Sequence, residues 1–168
     1  MTMQLHQLFP TAIATVQLAL DPLDVAGQLQ VLFALRGDAT GNPADGCAWT
    51  GDLHGAWQLH QHPDFAGLTQ QVVDQVWTYL EAVGFERSQV ALHLQRCWPV
   101  LSDWDQVVGR HHHPNAHLSA VLYLTGSGSG EEGVLRLQAP HRINELVPGL
   151  AVGHGGPIAE RHPLNADH

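Results

Sequence analysis

The hydrophobic period of this chain changes once, near Val90, and that change limits the folds open to it. Upstream, apolar residues recur at the spacing of a helix face; downstream, they alternate with polar ones as on a half-buried strand. Asp21, Pro22 and Asp24 make a helix start, with a side-chain acceptor at the cap, Pro in the first turn and acid near the positive end of the dipole. Leu23, Ala26, Leu29, Phe33 and Leu35 supply its apolar face, and Gly37 is its stop. Residues 38–56, with Gly41, Asn42, Pro43, Asp45 and Gly46, read as a loop. A second helix is expected from about Pro63-Asp64 to Gly84, with Leu68, Val72, Val73, Val76, Trp77, Leu80 and Val83 along one face. Both stripes read as core packed on a sheet rather than as cofactor contacts. Beyond Val90, residues 90–98, 118–124 and 133–138 suit strands, and Gly126-Ser127-Gly128-Ser129-Gly130 suits a flexible turn joining the last two as an antiparallel pair. Helices in front of strands predict an α+β class.

Within the strand-rich half, His111-His112-His113-Pro114-Asn115-Ala116-His117 stands directly before the apolar run that ends at Leu124. On an extended backbone, residues two apart share a face, so His111 and His113 can present both imidazoles to one ion while His112 faces away. Imidazole suits iron, copper, nickel and zinc, and a two-His-one-carboxylate face is the usual non-haem Fe(II) oxygenase arrangement. The run is internal, which sets aside a purification tag. Spacing alone leaves two readings open, a metal site and a polar loop in a chain that holds 13 histidines.

Composition narrows the function classes. At 168 residues the chain is expected to form one domain, large enough to bury roughly 70% of its unfolded surface. Apolar residues at 44% against 14% charged predict a globular fold. No apolar run approaches the ~20 residues needed to cross a bilayer, and the N-terminus lacks the order of a secretory signal, so a cytoplasmic location is expected. The net charge is −9 and all seven basic residues are Arg, which argues against nucleic acid or an anionic membrane as partner. Cys47 and Cys97 read as ordinary reduced thiols, too few for a disulfide framework or a Cys-type zinc site.

The residues around the histidines carry a resemblance. H-x-H-P at 111–114, L-S-x-V-x-Y-L at 118–124, the Gly-rich turn at 126–130 and Gly133-Val134-Leu135-Arg136-Leu137-Gln138-Ala139-Pro140 together resemble a family of 2-oxoglutarate/Fe(II)-dependent oxygenases, and more distantly the prolyl hydroxylases. Leu8-Phe9-Pro10, Trp49-Thr50-Gly51 and Trp98 fall in a similar order upstream. The resemblance covers most of the chain and is strongest over 98–140. It implies a double-stranded β-helix (a jelly roll, cupin-like) core with the N-terminal helices packed on the sheet. It also implies Fe(II) as cofactor, 2-oxoglutarate as cosubstrate, and hydroxylation of an unidentified small-molecule or peptidyl substrate. His111 matches the first metal ligand. His113 falls where the common H-x-D pattern has its carboxylate, which removes one negative charge from the metal, although the resembling family itself uses H-x-H. Tyr123 matches the phenol that hydrogen-bonds the far carboxylate of 2-oxoglutarate, and Ser119, four positions earlier, is placed on the same strand face at the cosubstrate pocket or in packing. No catalytic residue beyond the metal ligands is implied.

The family's distal His and its cosubstrate-binding Arg have no counterpart after Pro140. Residues 146–168 carry five glycines and prolines in quick succession from Pro148 to Gly156 and read as an irregular connection, so the chain is expected to end before the last barrel strands. His141, His154, His162 and His168 remain as possible third ligands, with a surface imidazole the plainer reading of each. Two alternatives therefore stand beside the oxygenase. One is a non-catalytic or degenerate cupin-like module binding a metal or small molecule. The other is a zinc or nickel hydrolase using bound hydroxide, which lacks a Glu base near the cluster, Glu131 and Glu132 lying in a turn.

Overall fold

A computed structural model of the protein describes residues 11–39, 44–126 and 133–138 and the backbone of 161–164. The described residues fall into two compact units, one built from the chain up to Ala14 with Leu18–Ala120, the other from Thr15–Gln17 with the chain from Val121 onward. The described structure is mixed helix and strand, as the expected α+β class is, with two α-helices, a few 3-10 turns and four short strands in two separate antiparallel pairs in place of the large sheet of a jelly roll.

In the first unit, α1 (Pro22–Arg36) starts and stops where the sequence predicts. Asp21 sits in extended backbone and accepts the Leu23 N–H at 2.8 Å, and Gly37, at φ 57°, returns its N–H to the Phe33 carbonyl. The positive φ is open to Gly at no steric cost. The buried face of α1 is a different one from the face expected. Gln28 and Leu32 are buried, with Val25, Leu29 and Arg36 beside them, while Leu23 is 82% exposed and Phe33 and Leu35 also reach solvent. Two polar residues turn inward because each finds a partner outside the helix. Gln28 donates from Nε2 to the Asp64 carbonyl at 3.1 Å, and Arg36 bridges to the Asp103 carboxylate at 3.3 Å. These bonds offset part of the cost of burial, Gln28 Oε1 and Arg36 Nε being left without a partner among the described residues.

The second helix is entered through a 3-10 turn, Pro63–Phe65, capped by His62, and α2 itself spans Ala66–Ala82. Phe65, Leu68 and Leu80 are buried and Val72, Val73, Val76 and Trp77 are half-buried, so the predicted stripe packs as core, with Val83 alone left exposed.

The described part of the loop expected at 38–56, residues 44–56, holds regular structure. Trp49–Thr50 forms β1, Gly51–His54 makes a 3-10 turn, and the run Ala48 to Gly51 is buried, Trp49 to 1% exposure. A bulky aromatic in a loop-like composition is buried because neighbouring chain satisfies its backbone. β1 pairs antiparallel with β2 (Val100–Leu101), Gly51 donates to the Pro99 carbonyl at 2.9 Å, and Ala48 and Gly46 exchange bonds with Val107 at 3.0 and 2.9 Å. Segment 46–51 thus has the 99–107 chain bonded along it. Residues 90–98 do not form the expected strand. Among the described residues their ladder contact is one bridge, Cys97 to Gln58, in which Cys97 donates to the Trp57 carbonyl and accepts from Leu59. Alternation supplies the right faces, but a strand also needs a partner backbone, and here the neighbour is a 3-10 turn.

In the second unit, β3 (Leu135–Gln138) lies within the strand expected at 133–138, but its partner is β4 (Arg161–Leu164), antiparallel, with Leu135 opposite Leu164 and Gln138 opposite Arg161. The tail read as irregular therefore contributes a strand, and residues 118–124 are irregular where a strand was expected. Pro163 lies in that strand, which a two-stranded ribbon tolerates because every strand has an open edge.

Two outcomes follow. A Cβ at Gly51 would stand 2.6 Å from the Ala56 carbonyl oxygen and 2.6 Å from Pro99 Cδ. Neither is a flexible side-chain tip, so Gly51→Ala is expected to lower stability by about 1–3 kcal/mol, read as an earlier urea midpoint. Burial pushes the Cys97 thiol above its ordinary 9.0, outweighing a backbone hydrogen bond at His60 that lowers it. The neutral thiol is the favoured form, so near pH 8 native Cys97 is expected to take up iodoacetamide at least about tenfold more slowly than in the denatured chain, as followed by peptide mass spectrometry.

Candidate metal centre

The histidine cluster is reached directly from the clamped segment: Val107 is bonded to Gly46 and Ala48, and the chain runs through Gly109 to His111 within four residues. A turn follows immediately. Pro114 and Asn115 occupy its centre and the Ala116 N–H returns to the His113 carbonyl at 3.3 Å. Pro fixes the φ that such a turn requires and Asn favours the position after it. The reversal brings Ser119, six residues on, back to His113.

The two predicted ligands meet. His111 Nε2 and His113 Nε2 are 3.0 Å apart, with ring centroids at 4.9 Å and planes tilted by 35°. His112 is exposed and takes no part, as alternation predicts, and His117 is exposed as well. Each ligand ring is held at its other nitrogen. His111 Nδ1 lies 2.8 Å from the Gly109 carbonyl, and His113 Nδ1 lies 2.8 Å from Ser119 Oγ. Trp98 presents an edge-to-face contact to the His113 ring at 5.4 Å, and His113 is half-buried where His111 is exposed.

For a pair of neutral rings these contacts assign the protons. A carbonyl only accepts, so His111 carries its hydrogen on Nδ1 and has its lone pair on Nε2. The 3.0 Å contact is then a hydrogen bond donated by His113 Nε2–H to His111 Nε2. A neutral His113 so arranged accepts at Nδ1, and the Ser119 hydroxyl donates to it.

The donor set suits a divalent transition metal as far as it goes. Two imidazole nitrogens each about 2.0–2.1 Å from one ion and subtending a right angle lie about 2.9 Å apart, against the 3.0 Å found here. Pinning of both Nδ1 atoms is the usual outer support of metal-bound histidines. Among the described residues, no third His, Cys, Asp or Glu joins this pair in a three-residue group. His141, His154 and His168 lie outside the described residues, and His162 is placed only as backbone in β4.

Tyr123 belongs to the second unit, half-buried, and burial raises its phenol above the ordinary value of 10.0, which keeps the hydroxyl protonated and available as a donor. Ser119 gives its hydroxyl to His113, a role outside the strand-face reading, since 118–124 is not laddered. The signal for it was present in His113-Pro114-Asn115, a turn dipeptide that folds the chain back on the histidine. Trp98 is a further neighbour that spacing alone did not single out. Elsewhere among the described residues, no helix is long and apolar enough to cross a membrane.

Residues 96–159 match a family model described as "Putative 2OG-Fe(II) oxygenase". A search of curated proteins and a search of solved structures return no match. The matched span contains Trp98, His111, His113, Ser119 and Tyr123, so the part of the chain that holds the histidine pair is similar to 2-oxoglutarate/Fe(II) oxygenases, and iron-dependent oxidation is the general kind of function it supports.

Proposed function

We propose that the protein is a 2-oxoglutarate- and Fe(II)-dependent dioxygenase acting as a hydroxylase on a small-molecule or peptidyl substrate, with His111 and His113 as protein ligands to the metal. The observation that carries this reading is the convergence of two Nε2 atoms at 3.0 Å, both rings pinned from behind, inside the span that matches the oxygenase family. A double-stranded β-helix enclosing the site is part of the same proposal.

Bound iron with 2-oxoglutarate supplies the oxidation of an unactivated C–H bond coupled to decarboxylation of the keto acid. The protein's own residues orient and shield. Gly109 and Ser119 hold the two rings at Nδ1, leaving Nε2 of each to take up the ion, and Trp98 packs against the His113 ring; the Tyr123 phenol, kept protonated by burial, would serve as a donor to a carboxylate of the cosubstrate. Ser119, which supports His113, would act on a bound cosubstrate through that ring. With His113 in place of a carboxylate, the ion would have one less negative charge among its protein ligands.

A second reading, a cupin-like module that binds metal or a small molecule without turnover, is favoured by the absence of a three-residue ligand group among the described residues. Anaerobic titration with Fe(II) and 2-oxoglutarate, followed by admission of oxygen, separates the two. The oxygenase reading expects a visible charge-transfer band of the chelated keto acid, and succinate after oxygen is admitted. His111→Ala and His113→Ala are each expected to weaken Fe(II) binding by more than about 100-fold, since loss of outer support alone costs 10–100-fold. A band without succinate selects the binding module; no band from the folded chain overturns the oxygenase reading.

A further inference from the structure

We propose that Ser119 is a positioning residue for His113, and that a divalent cation at the histidine pair reverses the direction of the hydrogen bond between them. The inference rests on the metal-site reading above and goes beyond it in assigning a proton to each ring in the metal-free and loaded states.

The metal-free pair is a directed chain. The Ser119 hydroxyl donates to His113 Nδ1, His113 Nε2–H donates to His111 Nε2, and His111 Nδ1–H donates to the Gly109 carbonyl, over 2.8, 3.0 and 2.8 Å. With both rings neutral, the direction follows from its last member, because a carbonyl cannot donate. One hydrogen therefore occupies the space between the two Nε2 atoms, where a shared cation has to sit.

The two rings meet that cation differently. His111 already has its Nε2 lone pair free and its hydrogen on Nδ1, so it binds as it stands. His113 has its hydrogen on the coordinating nitrogen. To bind as a neutral ligand it loses that hydrogen from Nε2 and gains one at Nδ1, a change of tautomer with no change in the charge of the ring. The new Nδ1–H then needs an acceptor at the same 2.8 Å. A hydroxyl is one of the few groups that fills both roles, since it donates in one state and accepts in the other by rotating about its own C–O bond. A carbonyl in its place would fix His113 as the Nδ1–H form, and an ammonium would fix the opposite form.

Trp98 holds the plane of the His113 ring while the protons exchange. Its edge-to-face contact at 5.4 Å does not depend on which nitrogen carries hydrogen, so the ring is not required to move. Ser119 is thus a reversible partner for one ligand, and the Gly109 carbonyl is a permanent one for the other.

Imidazole ¹⁵N resonances of the full chain, recorded with and without Zn(II) as a diamagnetic probe at one fixed pH, test the tautomers directly. The expected result is His111 as Nδ1–H in both states, with His113 as Nε2–H without metal and Nδ1–H with it. Zn(II) affinity of variants supplies the second arm. Ser119→Ala is expected to bind roughly 10- to 100-fold more weakly, Ser119→Thr within about threefold of the parent because it keeps the hydroxyl, and both to retain the parent circular dichroism. His113 found as Nδ1–H in the metal-free chain, or Ser119→Ala binding as the parent does, overturns the role of Ser119. If that happens while His111→Ala and His113→Ala still lose Zn(II), the metal site stands and only this inference fails. If neither histidine variant loses Zn(II), or the parent does not bind it, the metal-site reading fails and this inference with it.

Discussion

Close approach of main chain to main chain at Gly51 is the constraint on which the rest of the first unit depends. The Gly51 N–H bonds to Pro99, its missing side chain admits Ala56 and the Pro99 ring, and β2 and Val107 are bonded along the same 46–51 segment. Trp49, buried in that segment, is the largest side chain of the core. Its burial is available only because the backbone around it is bonded to the 99–107 stretch, since buried N–H and C=O groups without partners would offset the gain from burying an indole. The histidine cluster begins four residues after Val107 and has Trp98, next to Pro99, against one of its rings. Position of the site and stability of the core are consequences of one arrangement.

What the sequence made legible was local. The cap and stop of α1 were readable because Asp21, Pro22 and Gly37 act on backbone groups within a few residues of themselves. The face that α1 buries was not, because Gln28 and Arg36 turn inward for Asp64 and Asp103, 36 and 67 residues away, and a hydrophobic stripe counts neither. The strands show the same division. Residues 133–138 have strand composition and contain one, but which segment pairs with them depends on the rest of the chain, and the partner is Arg161–Leu164. Residues 90–98 and 118–124 have the same alternation without a ladder beside them.

The site followed this pattern on a smaller scale. The pairing of His111 with His113, and the exclusion of His112, could be read from a spacing of two, since it needs only that the two side chains share a face. The partner of His113 could not be read from alternation, which assigned Ser119 to the face of Tyr123. The turn at Pro114-Asn115 overrides the alternation by reversing the chain before Ser119 is reached. A short-range conformational rule was stronger than a medium-range periodic one, and the nearer signal would have been the better guide.

Because His111 is held by a main-chain oxygen and His113 by a side chain, the two halves of the pair are unequally open to inherited change. A single codon at position 119 can alter what stands behind His113, leaving the fold untouched. No codon change removes the oxygen behind His111; altering it requires the chain at Gly109 to take another path, and that path is tied through Val107 to the buried segment around Trp49. The orientation of His111 is thus set by the course of the backbone, and a side-chain substitution that retunes the pair acts through the residue behind His113.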